Sequence, residues 1–236
     1  MKSIALASVR GAPGVTTTSL LLASRLGGSV LVEADLSGGV LAVRYGLGRE
    51  PGLTSLAAAK PTEDRGWLEH AQDAGGVPVL VGPDSPDAAE ALWRTAGERI
   101  VTVLDRSAGW AVIDAGRAWR RTPIVDAADV VAVLARPVAE QVVALSHAVA
   151  TFRSSARGRV SVILVGTGPY RSEEVGEALD CTVLAHLPED PATAEHLVDG
   201  RISRARLARS RLARAVTGLG DRLEPLLGER EEVSAR

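Results

Sequence analysis

The sequence has no asparagine at all, and among its 236 residues it holds one cysteine, one methionine, one phenylalanine and two tyrosines. Lysine is almost as scarce, with Lys2 and Lys60 set against 25 arginines. A lone Cys181 excludes a disulfide framework within the chain and a cysteine set for a bridging iron–sulfur cluster. Aromatic residues make up 3%, so the core must be built from Val, Leu, Ile and Ala. Neither sign of charge is in excess: the net charge is -2, which excludes a global field that would recruit nucleic acid or anionic lipid. No apolar run approaches the roughly 20 residues that span a bilayer. The N-terminus enters an apolar strand without a signal-peptide layout, so a cytoplasmic protein is expected.

What is present is ordinary for a globular domain, with 46% hydrophobic and 24% charged residues. Short apolar runs at 3–8, 29–34, 77–82, 110–115, 130–135, 159–166 and 181–187 read as strands. Most are continuously apolar rather than alternating, as strands covered on both faces should be. Helical patterns lie between them at 16–26, 53–59, 87–107, 138–153, 172–179 and 191–197. This succession predicts an α/β fold: a doubly wound, mostly parallel β-sheet flanked by helices, in one domain over 1–220. Residues 221–236 read as a charged C-terminal tail.

The segment "RISRARLARSRLARAV" (201–216) carries six arginines. On a helical wheel Ile202, Ala205, Ala208, Leu212, Ala215 and Val216 share one arc, with Arg204, Arg206, Arg211 and Arg214 opposite. That pattern fits a closing helix that packs on the sheet with solvated arginines outside. A contact with DNA, lipid or a partner through the Arg201–Arg214 stretch is the less favoured reading.

The chemistry concentrates in "SVRGAPGVTTTSL" (8–20). A glycine turn between an apolar strand and a helix can surround phosphates with backbone amides, aided by the positive helix end. Gly11 and Gly14 supply the turn, Pro13 stiffens it, and Thr16 and Thr17 stand where hydroxyls can cap a helix or ligate Mg²⁺. The general phosphate-loop pattern fails at two places, with Val9 at its first glycine and Val15 at its lysine. Two further acids, Asp35 and Asp114, end apolar strands, where open α/β sheets bind their ligands.

The order and spacing of these segments resemble the MinD/ParA family of deviant Walker A ATPases over most of the chain. Arg10-Gly11-Ala12-Pro13-Gly14-Val15-Thr16-Thr17 is similar to that family's loop, Glu33-Ala34-Asp35 to its Asp-x-Asp strand end, and "WAVIDAG" to its Walker B strand. "PGLTSLAAA", "AADVVAVLARP" and "LPEDPATAEHLVDG" resemble later segments. The resemblance implies ATP or ADP with Mg²⁺ as cofactor, surrounded by Gly11, Ala12, Pro13, Gly14, Val15, Thr16 and Thr17. Thr16, Asp35 and Asp114 are its implied metal partners, with Asp35 orienting the attacking water. Arg10 stands at the signature lysine, which reaches a partner subunit's nucleotide, so a homodimer and a further protein partner are implied. With no asparagine after the strand at 159–166, base recognition falls to backbone, Thr167 or the 187–191 loop around Pro188. Loss of the loop lysine beside a retained Thr pair resembles the CpaE/TadZ branch.

Two functions follow as expectations: a nucleotide-binding, dimerising spatial organiser with weak or absent hydrolysis, or a nucleotide-independent scaffold on the same fold. A dehydrogenase is unsupported, because no G-x-G-x-x-G follows the first strand, although Glu33 could mimic a ribose-binding acid. His70, His147, His186 and His196 lack metal spacing, and neither Ser8 nor Ser19 has a base nearby in sequence. Trp67, Trp93, Trp110 and Trp119 read as packing anchors, and Arg117, Arg120 and Arg121 as groups able to approach phosphate.

Overall fold

A computed structural model describes residues 1–10, 14–59, 66–117, 120–200, 207 and 209–234, with side chains described to residue 227. Eight strands form one sheet: β1 (Lys2–Ser8), β2 (Ser29–Glu33), β3 (Gln72–Asp73), β4 (Pro78–Leu80), β5 (Trp110–Arg117), β6 (Val130–Ala135), β7 (Arg159–Val165) and β8 (Val183–Leu187). Their order across the sheet is β3-β4-β2-β5-β1-β6-β7-β8, and every pair is parallel except the β3–β4 edge. The strand order therefore reverses around β1, and the crevice outside its carboxyl end is where such a sheet receives ligands.

The continuous apolar strands are explained by helices on both faces. α1 (Val15–Arg25), α2 (Leu41–Tyr45), α8 (Pro191–Val198) and α9 (Arg211–Ser234) contribute to one apolar cluster. The opposite cluster holds α3 (Leu53–Ala58), α4 (Pro86–Asp105), α5 (Pro123–Asp126), α6 (Ala139–Arg153) and α7 (Ser172–Leu179). α4 shows how sequence sets an element here. Ser85 caps it by accepting from the Ala88 amide at 3.4 Å, Pro86 opens it, and Ala89, Trp93, Gly97, Ile100 and Leu104 bury one face.

All seven sequence-predicted strands and all six helices are present, with ends shifted by three residues or fewer. β3 lacks a sequence signal because it is a polar two-residue edge piece, closed by a turn in which Gly76 N–H donates to Asp73 at 2.8 Å. α2, α5 and the 3₁₀ turn Gly66–His70 are too short for a period to register.

The C-terminal region differs from the single helix expected over 201–216. Residues 201–206 and 208 lie outside the described residues. The chain breaks at Arg209–Ser210, where the Ser210 hydroxyl accepts from Ala213 N–H at 3.1 Å and opens α9. α9 then continues past position 220, and Leu212, Val216, Leu219, Leu223 and Leu227 are buried at spacings of three and four. Burial of each leucine contributes about 1.5–3 kcal/mol. The apolar stripe thus faces the core, leaving Arg211 and Arg214 outside, as the closing-helix reading requires. Among the described residues no helix is long and apolar enough to cross a membrane.

Candidate functional site

The site is built at the carboxyl ends of β1, β2, β5, β6, β7 and β8. Gly14 adopts φ +70°, a left-handed conformation that glycine reaches without a Cβ penalty, and it starts α1 without a side-chain cap. The Thr18 amide closes the first helical turn on Gly14 O at 2.8 Å. The amides of residues 15–17 precede that bond, so helix geometry leaves them as orphan donors at the positive helix end. Gly11, Ala12 and Pro13 lie outside the described residues. Arg10 is exposed, and Thr16 is partly exposed. Val15 is only 3% exposed and belongs to the apolar cluster that α1 shares with the sheet. The position expected to carry an ammonium group is part of the hydrophobic core.

Asp114 lies near the carboxyl end of β5 and is 2% exposed. Burial pushes its carboxyl up to about 7, and the charges of Glu33 and Asp35 push the same way. A hydrogen bond from the Thr16 hydroxyl and another from Gly116 N–H, at 3.1 Å, oppose the shift. The sequence-predicted Thr16 and Asp114 are therefore brought together. Asp35 sits on the neighbouring turn, where it accepts from Ser37 N–H at 2.8 Å. Its carboxyl group lies directly against the Cα of Gly116, which adopts φ +60°.

Glu33 has a different task from the one its place in Glu33-Ala34-Asp35 suggests. Its Oε1 accepts from Val40 N–H at 2.6 Å and Leu41 N–H at 2.8 Å, and its Oε2 accepts from Gly82 N–H at 3.0 Å. Burial raises its pKa, while those amides and the Arg44 charge oppose the rise. The carboxylate pins the loop after β2 to the loop after β4, so it is not free to hold a ribose. Glu33→Ala leaves three backbone donors without an acceptor, and each such loss costs about 1–3 kcal/mol. Urea unfolding should show a loss of about 3 kcal/mol or more, with Glu33→Gln intermediate.

Next to Gly14 opens a cavity of about 320 Å³ lined by Thr17, Thr18, Arg136, Val165, Pro188 and Glu189, and continued by Asp190, Pro191, Ala194 and Leu212. Pro188 is therefore in the wall, whereas Thr167 is exposed and not part of the lining. Arg136 was not singled out from sequence, Glu189 was covered only by the 187–191 loop, and Leu212 was read as part of a packing arc. Arg136 follows the end of β6, and that place after a strand was its only signal. Two of the arginines read as able to approach phosphate form ion pairs: Arg120 with Glu90, and Arg121 with Asp126 at 2.9 Å. Trp119 lies outside the described residues, and Arg117 is exposed.

No family model matches this sequence, and no curated protein does. Solved structures do. The septum site-determining protein MinD of Pyrococcus horikoshii, complexed with Mg-ADP, superposes with a TM-score of 0.75 at 18% identity, over 96% of this chain and 97% of that one. A ParA family ATPase from Chlorobium tepidum gives 0.74 at 16% identity, covering 93% and 97%. MinD in the MinC:MinD cell division complex of Aquifex aeolicus gives 0.71 at 15% identity, covering 95% and 96%.

The fold is that of the MinD/ParA ATPases.

On this fold the residues present suit a magnesium nucleotide in part. The orphan amides, the Thr16 hydroxyl beside a buried acid and the adjoining cavity match phosphate, metal and base. Among the described residues no three His, Cys, Asp or Glu side chains converge as a metal cage. A phosphate-borne Mg²⁺ does not need one, because it keeps several waters and takes one or two protein groups. No lysine stands among the described residues around Gly14, and Arg136 is the cationic side chain that lines the adjoining cavity.

Proposed function

We propose that the chain binds ATP or ADP-like nucleotides with Mg²⁺ at the end of β1 and works as a dimerising spatial organiser of a cellular assembly. Division-site placement, chromosome or plasmid partitioning, and pilus or secretion positioning are the assemblies of this kind. The observation that carries the reading is the contrast at α1: a cradle of amides, Thr16 and Asp114 is kept, while Val15 is buried in the core. Amides and a helix end contribute to the bound ground state as much as to the transition state. Loss of a preorganised charge at the reacting phosphoryl group lowers the rate by roughly 10²–10³. Binding is therefore retained, and hydrolysis is weak or absent. The Mg-ADP held by one MinD, and the complex of another with MinC, support the cofactor and a protein partner.

In this reading Gly14 and the amides of residues 15–17 hold phosphate oxygens. Thr16 is oriented by Asp114, Asp35 is placed to orient water, and exposed Arg10 faces the partner in a homodimer. A bound Mg²⁺ supplies charge neutralisation of the phosphates. Calorimetric titration with Mg-ATP and Mg-ADP should give saturable binding that Thr16→Ala weakens about tenfold or more, with phosphate release near background. Absence of heat at millimolar nucleotide would discard the reading. The buried Val15 also favours a second one, a nucleotide-independent scaffold. That scaffold predicts identical dimerisation by light scattering with and without nucleotide, unaffected by Asp35→Ala.

A further inference from the structure

On the sheet face opposite α1, a second cavity of about 440 Å³ opens among residues that the nucleotide reading does not use. α4 forms one wall with Glu90, Trp93, Arg94, Gly97 and Glu98, which share a side of the helix at spacings of three and four. Leu36, from the turn after β2, and Thr122 and Pro123, at the start of α5, form the other. Gly97 permits this approach, since a Cβ there would stand 2.8 Å from Pro123 Cγ. The volume is that of a small-molecule site.

Two hydrogen-bonding groups in these walls have no partner. Trp93 is 2% exposed and Thr122 5% exposed, yet neither the indole Nε1 nor the Thr122 Oγ1 makes a hydrogen bond. Thr122 stands at the N-cap of α5 without a capping bond from its hydroxyl. Among the described residues the one other buried side-chain atom of this kind is Ser19 Oγ, inside α1. Buried polar groups are ordinarily satisfied, so two orphans in one cavity mark a place for a ligand. An indole N–H can only donate, and a hydroxyl can also donate, so the ligand must bring acceptor oxygens. The charged side chains narrow its chemistry further. Arg120 is held by Glu90, and Arg121 by Asp126. Arg94 and Glu98 are exposed, and among the described residues neither enters an ion pair. One cation, one carboxylate and two buried donors are left uncommitted.

We propose that this cavity binds a free α-amino acid with a large apolar side chain. The ligand carboxylate accepts from Trp93 Nε1–H, the Thr122 hydroxyl and Arg94. Its ammonium group donates to Glu98, and its side chain covers Leu36 and Pro123. A zwitterion carries no net charge, which suits a lining whose arginines are matched by acids. A phosphate or a simple carboxylate would instead set an anion near Glu98 with nothing to offset it. The buried indole and hydroxyl are held in place before any ligand arrives, which lowers the ordering cost of binding. Exposure of Arg94 and Glu98 keeps their contributions small and the affinity modest.

Titration of the full ¹⁵N-labelled chain with L-phenylalanine, followed at the four tryptophan indole N–H resonances, tests this. Trp93→Phe identifies the Trp93 signal by its loss. In the wild type that signal should move downfield and saturate in the millimolar range. L-Phenylalaninamide, which lacks the carboxylate, should bind about tenfold weaker or worse. 3-Phenylpropanoate, which lacks the ammonium group, should bind about fivefold weaker. Thr122→Val keeps the side chain's shape and removes an unsatisfied hydroxyl, so it should fold as well while weakening L-phenylalanine about fivefold. Glu98→Gln, at an exposed position, should bring L-phenylalanine and 3-phenylpropanoate within twofold of each other. That ratio is the readout a merely structural loss would not move, since such a loss weakens both alike. A Trp93 signal unmoved at tens of millimolar, or equal binding of the three probes, overturns the assignment. Displacement of L-phenylalanine by Mg-ADP would place the probe in the nucleotide site and overturn it as well.

Discussion

Gly116→Ala should lose about 3 kcal/mol or more in urea unfolding and abolish nucleotide binding. The effect has two sources. An alanine at φ +60° costs about 1–2 kcal/mol, because its Cβ crowds the following carbonyl. That Cβ would also occupy the space of the Asp35 carboxyl group, and overpacking of this kind costs a further 1–3 kcal/mol. The strain cannot be relieved locally. Gly116 N–H donates to Asp114, and its carbonyl accepts from the buried Ser8 hydroxyl at 3.3 Å, so movement here disturbs both acids and the end of β1. Gly27→Ala is the control, since nothing lies within 4 Å of its Cβ position; its effect should stay within about 0.5 kcal/mol. A Gly116→Ala variant as stable as the control would show that the Asp35–Gly116 contact does not constrain the site.

The second large effect is on pH. Burial holds Asp114 at about 7 in the folded chain against 3.8 unfolded, so the native state keeps a proton that the unfolded state releases. Stability from this group is fully present below about pH 4 and is lost as pH rises through 7. A gap of about 3 units at 1.36 kcal/mol each corresponds to about 4 kcal/mol across that window. Burial raises Glu33 in the same direction. The ligand-free chain should therefore gain stability on acidification from pH 8 to pH 5. Asp114→Asn, which carries no proton to lose, should flatten most of that slope and be the more stable protein at pH 8. Parallel pH profiles for wild type and Asp114→Asn would refute the burial of a protonated acid. In the proposed nucleotide-binding function, a cation bound beside Thr16 would favour the ionised form, so its binding would release a proton.

Much of this architecture was legible in one dimension. Continuous Val/Leu/Ile runs can only be strands covered on both faces, and helices between them force parallel pairing. The glycine turn before a Thr cluster marked the junction of β1 and α1, and Asp35 and Asp114 marked the carboxyl edge. Thr16 and Asp114 were each named from the sequence, and the pairing of β1 with β5 brings them together. The hairpin edge at β3 was not, since two polar residues carry no period. The break at Ser210 was hidden because arginine and alanine favour helix on both sides of it. Glu33 looked like half of an acidic motif, and only its three amide donors, brought in from two different loops, show that it is a fastener.

The sequence alone determined the layers, the mostly parallel character of the sheet and the missing positive charge at position 15, because hydrophobic period and residue identity are local properties. Which groups remain open to a ligand was decided by the tertiary structure. Val15 turned into the core, Asp190 was consumed by α8 and Ser210, and Arg136 met Glu189 across the ends of β6 and β8. Those outcomes depend on distances between segments far apart in the chain, and a side chain's availability is set by whatever else reaches it first.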